Sequence, residues 1–174
     1  YSKQLPDIRQ LDSFVPITKT KVYANNNELI GEYFSEDREL VKLDQCPKYL
    51  INATIAAEDA QFFNHTGINI LGIFRAFYKN LLSARIKQGG SSITQQLAKV
   101  LFLSAERTYE RKIKEALLAI EIERTFQKQE ILELYLNQIF YGARSYGIES
   151  ASRNYFGKHA KNLTIAESAT LAGI

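Results

Sequence analysis

Two adjacent acids stand where a helix could present them for chemistry. Glu58 and Asp59 follow an apolar stretch with helical spacing, 51–57, and Phe62 and His65 come next. A carboxylate at the C-terminal end of a helix opposes the helix dipole, so that position is unfavourable unless the acid is used. Such an acid could serve as a general base or acid. The alternative, which these residues alone leave open, is an exposed acid paired with a nearby base.

A glycine pair opens the second segment of interest. Gly89-Gly90-Ser91-Ser92 leads into a predicted helix that carries Gln96 and Lys99. The free N–H groups and hydroxyls at such a helix start favour an anion. The G-x-x-x-x-G-K-[ST] spacing of a Walker loop is missing, and an ordinary loop with a helix cap is the alternative interpretation.

A third group lies at the start of a long predicted helix. Arg111 and Glu115 share one face of this helix at i, i+4, whereas Lys112 is expected to point elsewhere. The pattern fits a surface ion pair. It fits equally a second carboxylate set among cations that could hold a pyrophosphate.

Basic residues are concentrated around the second and third groups. Between Lys79 and Lys114 there are eight basic and two acidic residues, a net charge of +6, whereas the whole chain carries +3. This excess suits a phosphate-rich partner such as a lipid pyrophosphate, an anionic membrane surface or nucleic acid, and a solvated basic face is the alternative. The basic residues are Lys79, Arg85, Lys87, Lys99, Arg107, Arg111, Lys112 and Lys114.

The sequence lacks the motifs that several other catalytic mechanisms require. The chain has no H-E-x-x-H, no C-x-x-C and no G-x-S-x-G motif, and its histidines are His65 and His159. Zinc hydrolysis and serine or cysteine triads are therefore disfavoured. With Cys46 as its single cysteine, the chain forms no internal disulfide.

The elements that must position these residues are mostly helices. A short β-hairpin is predicted first, with Thr20–Ala24 and Leu29–Phe34 flanking the turn-forming Asn25-Asn26-Asn27. Apolar periodicity and capping residues then predict helices over Pro47–Phe63, Ile70–Ser83, Ser92–Leu103, Thr108–Phe126, Lys128–Phe140, Ser145–Phe156 and from Thr164 to the end. A chain of 174 residues with this pattern is expected to fold as one mainly α domain.

The relation of the chain to a membrane is predicted from its apolar segments. No apolar run is long enough to span a bilayer and no signal-peptide pattern is present, so we expect a fragment whose anchor lies outside this sequence. The stretch Ile68–Ile86 is apolar on more than one helical face, but Arg75, Lys79 and Arg85 interrupt it. It fits a helix at a membrane interface or a buried helix with snorkelling basic residues.

Taken together, these segments resemble glycosyltransferase family 51, the peptidoglycan polymerase module of class A penicillin-binding proteins and of monofunctional glycosyltransferases. Five motifs occur in order, and the resemblance extends from about Val22 to the last residue. The motifs are EDAQFFNHTG from Glu58, GGSSITQQLAK from Gly89, RKIKE from Arg111, ILELYLN from Ile131 with Gly142, Gly147-Ile148 and YFGK from Tyr155, and LTIAE from Leu163. One departure is Ser92, where the family usually has threonine.

The resemblance implies roles for ten residues. Glu58 would be the catalytic base that takes a proton from the acceptor sugar, and Glu115 the second catalytic carboxylate, near the departing pyrophosphate. A divalent cation, magnesium or manganese, could assist there, bound to the pyrophosphate or to Asp59. The implied substrate-binding residues are Asp59, Phe62, His65, Ser92, Gln96, Lys99, Arg111 and Lys112.

The resemblance also implies a setting for residues 1–174. The fold would be a lysozyme-like helical domain with a small membrane-proximal lobe, acting as a peptidoglycan glycosyltransferase domain. Its partners would be lipid II, the lipid-linked glycan chain, the bacterial membrane surface and a fused transpeptidase domain, and not nucleic acid. It would lie on the extracytoplasmic, periplasmic face of the cell membrane, anchored by a helix outside this sequence.

Two rival functions use the same features. A lysozyme-like hydrolase would also need two carboxylates on a helical fold. A basic helical module that binds anionic membranes or nucleic acid would need the charge between Lys79 and Lys114 but not Glu58.

Overall fold

The structure is a computed structural model, and it describes residues 6, 8, 20–33, 37–75, 89–103 and 108–174. Helices dominate these ranges, as predicted, and the arrangement is consistent with the lysozyme-like fold that the resemblance implies. The helices are α1 (Lys48–Glu58), α2 (Ile93–Phe102), α3 (Tyr109–Thr125), α4 (Lys128–Gln138), α5 (Ile148–Phe156) and α6 (Ile165–Ala172). Residues 70–75 are also helical, and the remainder of the helix predicted over Ile70–Ser83 lies outside the described residues.

The predicted hairpin is confirmed. Strand β1 (Thr20–Tyr23) pairs antiparallel with β2 (Leu29–Tyr33), with Thr20 opposite Tyr33. The turn depends on Asn27, whose φ of 62° lies in the left-handed region that asparagine tolerates better than most residues. Further on, β3 (Asp37–Arg38) pairs in parallel with β4 (Ser145–Tyr146).

Helix α2 contributes Ile93, Leu97 and Ala98 to the hydrophobic core. It packs against α3 and α4, while α1 packs against α6. The helices bury apolar side chains that contribute roughly 1.5–3 kcal/mol each when fully removed from water. Fully buried examples are Leu50, Ile93, Leu97, Leu118, Ile122, Ile131, Leu132, Leu136 and Ile148.

Two predicted helices start or end at least three residues from the expected position, whereas the others that are described in full differ by one or two residues. The helix predicted over Pro47–Phe63 ends at Glu58, because Asp59 leaves the helical conformation at φ −154° and turns its carboxylate inward. The helix predicted from Ser145 begins at Ile148 instead. Gly147 separates it from β4 with a φ of +83°, a conformation that favours glycine.

The start of α2 is fixed by a capping box. The Ser92 hydroxyl accepts the Gln95 N–H at 3.1 Å, and the Gln95 side chain accepts the Ser92 N–H at 3.0 Å. The same hydroxyl donates to the Gly67 carbonyl, so the cap also joins α2 to the segment that follows Glu58. Ser92 is fully buried.

Ser92→Ala is expected to lower the free energy of unfolding by about 2 kcal/mol, since it removes a helix cap and a second buried hydrogen bond. Thr108→Ala is the matched control, because Thr108 caps α3 through the Arg111 N–H at 3.1 Å on an exposed surface. Its loss should be about 0.5–1 kcal/mol. Urea unfolding measures the free energy of unfolding of both variants. Equal losses in Ser92→Ala and Thr108→Ala would contradict a stabilising hydrogen bond from Ser92 to Gly67.

Candidate active site

Glu58 is the last residue of α1, and its exposed carboxylate lines a cleft of about 450 Å³. The Asp59 N–H donates to the Ile55 carbonyl at 2.9 Å and closes the final helical turn. The helix therefore ends with Glu58 at the cleft and Asp59 in the interior. The cleft is further lined by Asn69, Gly72, Arg75, Gly89, Gly90, Ser91, Gln96 and Lys99.

The neighbouring acid, Asp59, is only 1% exposed and holds three segments together. One of its oxygens accepts from Asn69 Nδ2 at 2.9 Å. The other contacts His65 Nε2 at 2.7 Å and the Ile93 N–H at 3.3 Å. Because a carboxylate only accepts, His65 carries the proton on Nε2. A buried charge needs such partners, and Asp59 thereby fixes the end of α1 against the start of α2.

Both carboxylate oxygens of Asp59 accept hydrogen bonds from the protein, which matters for whether Asp59 could bind the expected divalent cation. Among the described residues, no group of three or more His, Cys, Asp or Glu side chains is arranged to hold a metal ion. Asp59 therefore does not fit the metal-binding role considered for it, because its lone pairs point at three donors of the protein.

Asn69 belongs to this network although it was not among the predicted site residues. It donates to Asp59 and accepts the Gly72 N–H at 2.7 Å, so it caps the helical residues 70–75. An asparagine directly before an apolar helical pattern is an N-cap signal, and that signal could have identified it.

The carboxylate of Glu115 lies at the other end of the site, on α3. It is only 3% exposed, and it pairs with Arg111 and, at 2.7 Å, with Lys112 Nζ. Lys112 also donates to the Ser91 hydroxyl at 2.8 Å. The surface ion pair offered as an alternative is thus a buried carboxylate between two cations.

The expectation that Lys112 points away from Glu115 is wrong. Positions i and i+3 are also neighbours on a helix, and a lysine side chain is long enough to reach across that spacing. Lys114, in contrast, pairs with Glu110 at 2.7 Å on the surface. Of the other basic residues counted above, Lys79, Arg85, Lys87 and Arg107 lie outside the described residues.

A second cavity of about 180 Å³ surrounds these cations and adjoins the cleft at Glu58. Ser91, Gln96 and Lys99 line both spaces. The exposed acid and the cluster of cations therefore lie in two neighbouring cavities that share a wall. The second cavity is completed by Gln95, Arg111, Lys112 and Glu115.

The ten predicted site residues divide into two groups by their burial and contacts. Seven line the two adjoining cavities, and three pack behind them. The seven are Glu58, Asp59, Gln96, Lys99, Arg111, Lys112 and Glu115. The three are Phe62, His65 and Ser92.

Buried Phe62 and Ser92 support the site from behind. Phe62 is fully buried, with Lys128 Nζ 4.4 Å from its ring centre, and Ser92 is fully buried in the capping box. The direct substrate contact predicted for these two residues does not fit that burial.

The helical residues 70–75 expose large apolar side chains beside the cleft. Ile70, Leu71, Ile73 and Phe74 are all exposed, and Leu71 is 76% accessible, whereas Gly72 and Arg75 line the cleft. Of the two interpretations of Ile68–Ile86, this part of the chain favours a membrane interface over a buried helix. In the residues that the structure describes, no helix combines the length and the apolar character needed to cross a membrane.

The geometry agrees with a comparison to known protein families. A family model described as Transglycosylase matches residues 26–174. The chain belongs to the transglycosylase family. Membership in this family makes the chain a glycosyltransferase domain, and the predicted resemblance is confirmed. Membership in an enzyme family also removes the support for the alternative function, a basic helical module that only binds membranes or nucleic acid.

Curated relatives of high similarity are penicillin-binding proteins 1A. The one from Aquifex aeolicus is 51% identical over 172 residues, which is 99% of this chain and 24% of that protein. Those from Rickettsia felis and Neisseria flavescens are 46% and 44% identical, and the chain spans 22% and 21% of their lengths. The chain thus spans less than a quarter of each relative.

A solved structure was also matched. The crystal structure of penicillin-binding protein 1A from Haemophilus influenzae covers 90% of this chain at 26% identity, and the match spans 14% of that protein. The two structures overlap with a TM-score of 0.40, a value that adds nothing to the family assignment.

Proposed function

We propose that this domain is a peptidoglycan glycosyltransferase that polymerises lipid II into β-1,4-linked glycan strands and releases undecaprenyl pyrophosphate. The observation that carries the proposal is the pair of adjoining cavities, one lined by exposed Glu58 and the other by the cations around Glu115. A sugar hydroxyl at one end and a diphosphate at the other are the two groups that such a transfer must bind.

Glu58 is the proposed general base. It takes the proton from the 4-hydroxyl of the acceptor lipid II as that oxygen attacks the anomeric carbon of the lipid-linked chain. The new carbon–oxygen bond forms on the face opposite the diphosphate, whose bond to the anomeric carbon breaks, so the configuration inverts. Gln96 Nε2 donates to Glu58 Oε2 at 2.7 Å, and we assign the proton transfer to the other carboxylate oxygen.

Lys99, Arg111 and Lys112 are the proposed binding groups for the leaving diphosphate. Negative charge grows on that group in the transition state, so cations already in place lower the barrier in addition to binding the ground state. Glu115 supports this role because it holds Arg111 and Lys112 by ion pairs. A divalent cation carried by the diphosphate itself stays part of the proposal, and it would supply further positive charge beside these side chains.

The exposed apolar residues at 70–75 are the proposed membrane contact. They lie next to residues that line the cleft. A domain resting on the outer face of the cell membrane could therefore bind lipid-linked substrates while their lipid tails stay in the bilayer. In the full protein we expect an anchoring helix and a fused transpeptidase domain, because the relatives are penicillin-binding proteins several times longer than this chain.

The experiment is to supply the purified domain with lipid II and, separately, with finished cell wall, and to size the products. Glycan polymer from lipid II is the expected result. Soluble fragments from finished wall, without polymer, would instead identify the lysozyme-like hydrolase.

A further inference from the structure

We propose that Tyr135 is a positioning residue for Glu58, which it orients through the side-chain amide of Gln96. This inference rests on the proposed function, because it concerns the base of that reaction. Tyr135 lies on α4, Gln96 on α2 and Glu58 on α1, so the chain of contacts joins three helices.

The contacts form a line of hydrogen bonds that ends on the carboxylate. The Tyr135 hydroxyl donates to Gln96 Oε1 at 3.4 Å, and Gln96 Nε2 donates to Glu58 Oε2 at 2.7 Å. All three residues line one further cavity, of about 160 Å³, next to the cleft. Tyr135 itself is only 3% exposed.

The hydroxyl of Tyr135 holds the far side of the Gln96 amide. The Glu58 carboxylate only accepts, so it requires the NH₂ group of that amide to face it, and the amide oxygen then faces Tyr135. Burial and, to a smaller extent, the charge of Glu58 raise the pKa of Tyr135 well above its usual value, so the phenol keeps its proton. Its O–H therefore donates to the amide oxygen and restrains the Gln96 side chain against Glu58.

Loss of the hydroxyl would remove that restraint. The amide would keep its preferred orientation, because its oxygen placed against the carboxylate would bring two acceptors together, but its side chain would be less firmly held. Glu58 would then spend part of its time without the donor that holds its oxygen. The acid would then be less often in the position that proton transfer requires.

The test is Tyr135→Phe, assayed by steady-state polymerisation of lipid II. We expect kcat to fall about fivefold, the effect of one ordinary hydrogen bond, while KM changes less than about twofold. The matched control is Tyr49→Phe, which deletes a phenol that donates to the Leu163 carbonyl at the opposite end of α1 from Glu58. Its kcat should stay at the native value.

A double-mutant cycle separates positioning from general support of the fold. In a Gln96→Ala background, Tyr135→Phe should lower kcat no further, because the amide that it restrains is gone. Independent, multiplicative losses would overturn the proposal, as would an unchanged kcat in Tyr135→Phe alone.

Glu58→Gln, measured in the same series, distinguishes the failure of this inference from the failure of the proposed function. If Glu58→Gln is inactive and Tyr135→Phe is fully active, only the proposed role of Tyr135 is disproved. If Glu58→Gln retains native activity, both the proposed base and its proposed positioning residue are disproved.

Discussion

Glu58→Gln is expected to reduce polymerisation of lipid II by about 10²–10⁴-fold, the usual contribution of a general base. Glutamine has nearly the same shape and can still accept the hydrogen bond from Gln96, but it does not take up a proton from a sugar hydroxyl. Because Glu58 is exposed, the variant should have the same urea midpoint of unfolding as the native protein.

The matched control for this prediction is Glu110→Gln. Glu110 is another exposed glutamate, which pairs with Lys114 on the surface of α3 rather than lining the cleft. It should retain full polymerisation activity. Retention of activity by Glu58→Gln, at equal protein stability, would assign the proton transfer to a different group.

Gly67→Ala is expected to lower the free energy of unfolding by about 3 kcal/mol or more, the largest effect on stability proposed here. Gly67 has a φ of +95°, and a Cβ built on it would lie 2.7 Å from the Ala119 carbonyl oxygen. That oxygen belongs to the backbone of α3, which does not move aside as a flexible side chain would. The Gly67 carbonyl also accepts the Ser92 hydroxyl, so a shift there would disturb the cap of α2.

Gly89→Ala provides the comparison for Gly67→Ala. A Cβ on Gly89 would meet nothing within 4 Å, and its φ is not in the positive region. The unfolding midpoint in urea should therefore stay close to the native value. A loss below about 1 kcal/mol in Gly67→Ala would show that the segment after Glu58 can separate from α3.

The helices were predictable because their apolar spacing and caps lie within short stretches of sequence. Thr164 and Glu167 form a capping box at the start of α6. At the other end of a helix, Gly157 ends α5 in the left-handed conformation at φ 67°. The early end of α1 was not predictable in this way. It depends on the contact of Asp59 with the Ile93 N–H, 34 residues away, and periodicity carries no information about that pairing.

The same distinction holds for the site. The residue types at positions 58 and 115 indicated acid and cation chemistry, but the two acids are 57 positions apart in the sequence. The packing of α2 against α3 places their surroundings in two adjoining cavities. Tyr135 gave no signal of its own, because a tyrosine at a core position of a helix is ordinary.

Helix α2 has a consequence for which substrates the domain can accept. Gln96 and Lys99 are three residues apart on it, about 4.5 Å along the axis, and each lines both cavities. In the proposed reaction, Gln96 holds the base Glu58 and Lys99 binds the diphosphate, so the helix would act as a rigid spacer between those two groups. A donor with an extra group between its anomeric carbon and its phosphates would be out of register at one end, even if each half fitted its own cavity.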